Sequence, residues 1–167
     1  MSIIGKILTF GVLLAISACT DATDYNGGSG GASGSGVNAG TVSDPTSPAF
    51  FQQSVGDRVL FVVDQSTLTD TARTTLQAQA EWLLSNTDYS AIIEGHADEQ
   101  GTREYNLGLG EKRANAAREF LVSRGIAGNR LRVVSYGKER PIEICSDESC
   151  YSKNRRAVTV LSSGLTG

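Results

Sequence analysis

The sequence predicts an α+β fold in which a mixed sheet carries helices on one face. Three observations lead there. Short β-rich runs at 58–63, 91–93 and 131–136 are separated by two long stretches whose apolar residues recur at helical spacing. A last run, Arg155 to Ser162, alternates Arg156, Val158 and Val160 against Ala157, Thr159 and Leu161, the pattern of a half-buried strand. The resulting order, β-α-β-α-β-loop-β, is that of a sandwich of helices on a sheet.

The chain has 167 residues, enough for one domain of ordinary size, and part of that length is not domain. Residues 1–18 read as an export signal: Lys6 is the only charge, and an apolar core runs from Ile7 to Ile16, too short to span a bilayer. Ile16-Ser17-Ala18-Cys19 looks like a bacterial lipobox. That resemblance implies cleavage before Cys19, acylation of Cys19 and an outer-membrane anchor, Thr20 and not Asp following the cysteine. Several acyl chains anchor stably where one holds only marginally.

Residues 19–47 are expected to form the acylated cysteine and a linker. Gly27-Gly28-Ser29-Gly30-Gly31 and Ser33-Gly34-Ser35-Gly36 leave it almost no large apolar residues with which to offset chain entropy. A flexible coil of this length reaches on the order of 30 Å, or roughly 90 Å when straightened.

The domain is expected over 48–163, with 164–167 as a tail. Phe50 and Phe51 can pack on its edge, and Arg-Val-Leu-Phe-Val-Val (58–63) reads as the first strand, followed directly by Asp64. Thr69 is a plausible N-cap for a helix to Ser85 with Ala72, Leu76, Ala80 and Leu83 at core spacing. Ala91, Ile92 and Ile93 open the second strand, which breaks at Gly95 into a polar turn and then a helix with apolar residues at 109, 116, 117, 120 and 121. Gly125 is a natural C-terminal cap for that helix. Leu131 to Tyr136 gives the third strand, and residues 137–153 read as a long loop.

Of the three cysteines, Cys145 and Cys150 flank Ser-Asp-Glu-Ser in an exported chain, where a disulfide stapling the loop is the expected state. Metal binding is the weaker reading, because the single histidine, His96, is remote and no CxxC spacing occurs. No cofactor is expected. A net charge of −3 without a long basic stripe argues against nucleic acid as a partner.

Chemistry concentrates between 92 and 121. Asp98 follows a strand end, while Asn106, Gly110 and Arg113 share one face of the next helix. An acid and a planar guanidinium so placed suit a ligand carrying an ammonium and a carboxylate. The same two residues could equally form an ordinary surface salt bridge, worth about 0–1 kcal/mol. No catalytic constellation stands out: no G-x-S-x-G nucleophile elbow joins a strand to a helix, Gly27 to Gly31 being linker, and a hydrolytic pair built from Asp64 and Asp98 is disfavoured.

Gly-His-Ala-Asp (95–98), Asn106, Leu109, Gly110, Arg113 and Ala114, then Ser-Tyr-Gly-Lys-Glu-Arg-Pro (135–141) and Lys-Asn-Arg-Arg-Ala-Val (153–158), resemble the OmpA-like peptidoglycan-binding domain family, in particular its lipoproteins of the Tol-Pal system. The resemblance spans residues 57 to 161. It implies a non-enzymatic tether that binds the diaminopimelate-containing stem peptide of peptidoglycan, with a TolB-like periplasmic partner. Position by position, it implies that Asp98 and Arg113 bind diaminopimelate and that Asp64 lines the same cleft. Leu109 and Ala114 would pack against the stem peptide, and Asn106 and Arg155 would complete the site. Two departures are visible: Val63 stands where the family often has an aromatic, and Gly108 adds a second glycine to the helix.

Overall fold

The computed structural model of the chain describes residues 39–163. The export signal, Cys19, most of the linker and the tail at 164–167 lie outside the described residues. A short helix α1 (Pro48–Phe50) runs on as a π-turn (Phe51–Gly56) into strand β1 (Arg58–Leu60). Then follow α2 (Asp70–Ser85), β2 (Tyr89–His96), α3 (Arg103–Ser123), β3 (Leu131–Gly137), α4 (Glu148–Asn154) and β4 (Arg156–Ser163). The sheet order is β1-β4-β2-β3, with β4 antiparallel to both neighbours and β2 parallel to β3. Mixed pairing follows from connectivity, because β2 and β3 are joined by a long helical crossover and β4 returns from the far end.

One core forms between sheet and helices. Val59, Ala91, Ile93, Leu131 and Ala157 from the strands meet Leu76, Ala80, Leu83, Ala117 and Leu121 from α2 and α3. On the opposite sheet face Leu60 and Val160 remain 47% and 37% exposed. The four α2 positions expected in the core are all buried. So is Gln79, whose side chain accepts from Thr159 Oγ1 at 2.7 Å and donates to the Gly56 carbonyl at 2.7 Å.

Helix ends obey local chemistry. Thr69 and Thr102 cap α2 and α3 by accepting from Ala72 N and Tyr105 N. At the end of α3, Gly125 takes φ +99°, its amide donates to Val122 O, and Ile126 N donates to Leu121 O. That pair of bonds is a Schellman motif, with Ile126 buried beside Leu121.

Three expectations are corrected. The first strand stops at Leu60, not Val63, because the Val62 and Gln65 carbonyls turn towards the Arg113 guanidinium instead of a ladder. Residues 137–153 are not all loop: α4 forms there, capped by Asp147. The ordered domain also begins before Pro48. Trp82 Nε1 donates to the Pro45 carbonyl at 2.7 Å, and Ala49 N donates to Ala39 O at 2.9 Å, so the last linker residues are docked. α3 starts at Arg103, so Gly108 lies inside the helix as the sequence reading has it.

The two α3 glycines differ. A Cβ on Gly110 would meet Ser135 Oγ at 2.5 Å and the Gly95 carbonyl at 2.9 Å, whereas one on Gly108 would meet nothing within 4 Å. Gly108→Ala should therefore stabilise the domain by about 0.5–1 kcal/mol, through helix propensity alone. A denaturant melt showing no gain would contradict this.

Candidate functional site

The turn after β2, the first two turns of α3 and the chain leaving β1 enclose a cleft of about 350 Å³, lined by Val63, Asp64, Asp98, Gln100, Gly101, Tyr105, Asn106 and Leu109. Its position follows from the fold. β2 ends against α3 through Gly95, whose missing side chain lets the Gly110 carbonyl approach, so the residues just past β2 stand beside the helix N-terminus.

Asp98 is only 6% exposed. One carboxylate oxygen accepts from Gln100 N at 3.1 Å, and the other lies 3.1 Å from Arg155 Nη1. Arg155 is buried as well; its Nε donates to the Phe61 carbonyl, and the exposed Glu148 holds its fork from the far side. The near partner of Asp98 is therefore Arg155 from the end of the chain, not the helical arginine fifteen residues away. Asn106 completes the floor: its side-chain amide donates to the Gln100 carbonyl at 2.7 Å, pinning the turn.

Arg113 lies beneath this floor, wholly buried. It donates to the Gln65, His96 and Val62 carbonyls at 2.8, 2.9 and 3.2 Å and stacks over Phe61 at 5.4 Å. Three of the five guanidinium N–H groups are thus committed to backbone, two remaining. Burial pulls its pKa down to about 10, against the opposing pull of Asp98, so it stays charged at neutral pH. The alternative of an ordinary surface salt bridge between Asp98 and Arg113 is corrected: Arg113 is wholly buried, and Asp98 pairs with Arg155.

Asp64 sits across the cleft with φ +56°, a left-handed conformation tolerated best by Asn, Asp and Gly. Tyr105, half exposed, donates its hydroxyl to Asp64, and that bond raises the tyrosine pKa. Ala114 does not reach the cleft: it is fully buried, and its methyl would lie 3.1 Å from a Cβ on Gly95. Of the seven residues expected to bind, Asp64, Asp98, Asn106 and Leu109 line the cleft, Arg113 and Arg155 back it, and Ala114 belongs to the core.

The sequence reading missed Tyr105, Gln100, Gly101 and Glu148. Only Tyr105, an aromatic in the first turn of a helix beside an acidic loop, carried a visible signal. His96 contributes through its backbone. Its ring is buried, stacked on Tyr136 at 5.5 Å, and held neutral by a pKa lowered to about 4, through burial first and then Arg156 and Arg140. Cys145 and Cys150 are joined in a disulfide with Cα atoms 5.8 Å apart, so their sulfurs are not available as thiolate ligands.

Residues 60–155 match the OmpA family. The chain is 49% identical over 150 residues to the peptidoglycan-associated lipoprotein of Mesorhizobium japonicum, covering 90% of this chain and 87% of the relative. It is 54% identical over 130 residues to the protein of the same name from Rhizobium meliloti, covering 78% and 73%. The chain belongs to the OmpA family, among its peptidoglycan-associated lipoproteins.

For this OmpA-family member the solved structures agree on the fold. The crystal structure of the peptidoglycan-associated lipoprotein from Burkholderia pseudomallei superposes with a TM-score of 0.64 at 37% identity, over 72% of this chain and 98% of that one. The C-terminal domain of Helicobacter pylori MotB superposes at 0.60 with 19% identity, over 65% of this chain and 86% of that one, and speaks for the fold alone.

Proposed function

We propose that this chain is a non-enzymatic tether whose cleft binds peptidoglycan through the diaminopimelate of stem peptides. The observation that carries the reading is the mixed charge of the cleft. Asp98 and Asp64 face it, while Arg113 and Arg155 stand behind the first acid, so a ligand bearing ammonium and carboxylate groups meets both signs at one place. Asp64 and Asp98 would take the ammonium. The two uncommitted N–H groups of Arg113 would attract the carboxylate from beneath, Leu109 would supply an apolar wall, and Asn106 and Arg155 would hold the floor. Asp98 held in an ion pair and a hydrogen bond from one backbone amide favours binding over acid–base chemistry.

Acylation at Cys19 would hold the outer membrane, the linker would span towards the peptidoglycan layer, and the domain would lie in the periplasm. Relatives named lipoproteins support this placement. A TolB-like periplasmic protein would compete with peptidoglycan for an overlapping surface. If no binding to such a protein were detected, the Tol element would be withdrawn while the tether remained.

The decisive experiment is co-sedimentation with purified sacculi. Asp98→Asn keeps the oxygen that accepts from Gln100 but removes the charge, and Asp64→Asn keeps a residue at ease with positive φ. Each should retain its circular dichroism and lose at least about tenfold in affinity, the worth of one charge-assisted contact. Undiminished binding by both variants would refute the site.

A further inference from the structure

The segment between the two cysteines has no part in the cleft lining, yet Ser146 and Glu148 within it bond to Glu99 and Arg155 beside the cleft. The bond from Cys145 to Cys150 closes a loop too short to remove much chain entropy from the unfolded state. Its contribution to global stability is therefore at the low end for a disulfide, and what it adds beyond that is local. Helix α4 does not stand alone: a helix of 7 residues is below the length at which isolated helices form, and it buries only Cys150 and Asn154. What holds α4 is local. Asp147 caps its start, and Asn154 Oδ1 accepts from Ile142 N and Glu143 N while Nδ2 donates to the Glu143 carbonyl.

From this braced helix two lines run to the acids of the cleft turn. Glu148 grips Arg155 with both oxygens, and Arg155 Nη1 lies 3.2 Å from Glu148 Oε2 and 3.1 Å from Asp98 Oδ2, shared between them. Independently, Ser146 Oγ and the Tyr151 hydroxyl donate to Glu99 Oε1 at 2.7 and 2.9 Å. The residues next to each other at 98 and 99 are thus both held from the 146–155 segment.

We infer that Glu148 and the Cys145–Cys150 bond are positioning elements for the binding carboxylate. Glu148 draws the Arg155 fork away from Asp98, and the disulfide keeps Glu148 where it can do so. Without Glu148, the guanidinium is freed to pair with both oxygens of Asp98, and a ligand ammonium must then compete with it. Loss of the disulfide frays α4 and has the same consequence by the same route. This inference rests on the peptidoglycan reading for its functional readout, though not for its structural one.

The test uses the full chain with Glu148→Gln, Glu148→Asp, Cys145→Ser/Cys150→Ser and the triple combination of the cysteine pair with Glu148→Gln. Glu148 is 70% exposed, so its variants should fold. Glu148→Gln and the cysteine pair should each weaken sacculus binding about 3- to 10-fold, the range of coupling between sites that touch no ligand. Glu148→Asp should recover part of the loss, and the triple variant should lose no more than Glu148→Gln alone, since both changes act on one route. The Gln100 amide, which donates to Asp98, should shift in the NMR spectrum of each weakened variant and report a turned carboxylate. Wild-type binding with an unmoved Gln100 amide, or losses that multiply in the triple variant, would overturn the inference. Should the wild-type chain itself ignore sacculi, the peptidoglycan reading falls, and the Gln100 amide still decides whether this segment orients Asp98.

Discussion

Arg113→Ala should lower the unfolding free energy by about 3–5 kcal/mol, because a wholly buried guanidinium leaves three backbone acceptors behind it. The Val62 and Gln65 carbonyls belong to the chain leaving β1, and the His96 carbonyl to the end of β2. Arg113 therefore ties α3 to both walls of the cleft. A loss of this size corresponds to a fall in Tm of roughly 10–20 °C for a domain of this length. Arg113→Lys keeps a charge, but one ammonium cannot address three carbonyls in diverging directions, so it should recover only about half. Thermal melts of the three proteins check the expectation, and an alanine variant melting within a few degrees of wild type would show that Arg113 is not the tie described here. For the same reason sacculus binding by Arg113→Ala cannot separate ligand contact from folding, which is why Asp98→Asn and Asp64→Asn carry the functional test.

Gly95→Ala is expected to be as damaging from a single methyl. Its Cβ would fall 1.8 Å from the Gly110 carbonyl oxygen and 2.5 Å from the carbonyl carbon, both backbone atoms that no rotamer change can move. Either α3 lifts off β2 by more than an ångström or the end of β2 bends away, and Asp98 lies three residues on. Overpacking of this kind costs about 3 kcal/mol or more where nothing flexible can yield. We expect a large drop in Tm together with loss of sacculus binding. Gly108→Ala in the same helix serves as the contrast, with stability gained and binding kept. Equal behaviour of the two substitutions would mean that α3 does not rest on Gly95 as described.

These two glycine positions show how much of the site could be read in advance. Every strand and both long helices were legible, because each carries its own periodicity and each helix its own capping residues. Asp64, Asp98, Asn106 and Leu109 were legible as a group only through the resemblance to a family; their separations along the chain say nothing of a shared cleft. α4 was hidden because its seven residues bury only two side chains and so show no apolar period, although Asp147 and Glu148 at its start and Lys153 in its last turn are helix-end signals. The early end of β1 was hidden because Phe61, Val62 and Val63 keep a strand's composition while the Val62 carbonyl answers to Arg113 and the Phe61 carbonyl to Arg155, both far along the chain.

By itself the sequence determined the α+β class, the order of the strands and the two long helices, the Thr69 and Gly125 caps, the pairing of Cys145 with Cys150, and Asp98 in the turn after the second strand. These depend on neighbours within a turn or two, where spacing and side-chain chemistry act directly. Only the tertiary structure decided which arginine faces which acid, which glycine admits another backbone, and that Ala114 belongs to the core and not to the cleft. Those outcomes depend on desolvation and close approach between segments far apart in the chain. Arg113 charged and buried beneath the floor, and Arg155 shared between Asp98 and Glu148, exist only once the sheet has brought those segments together.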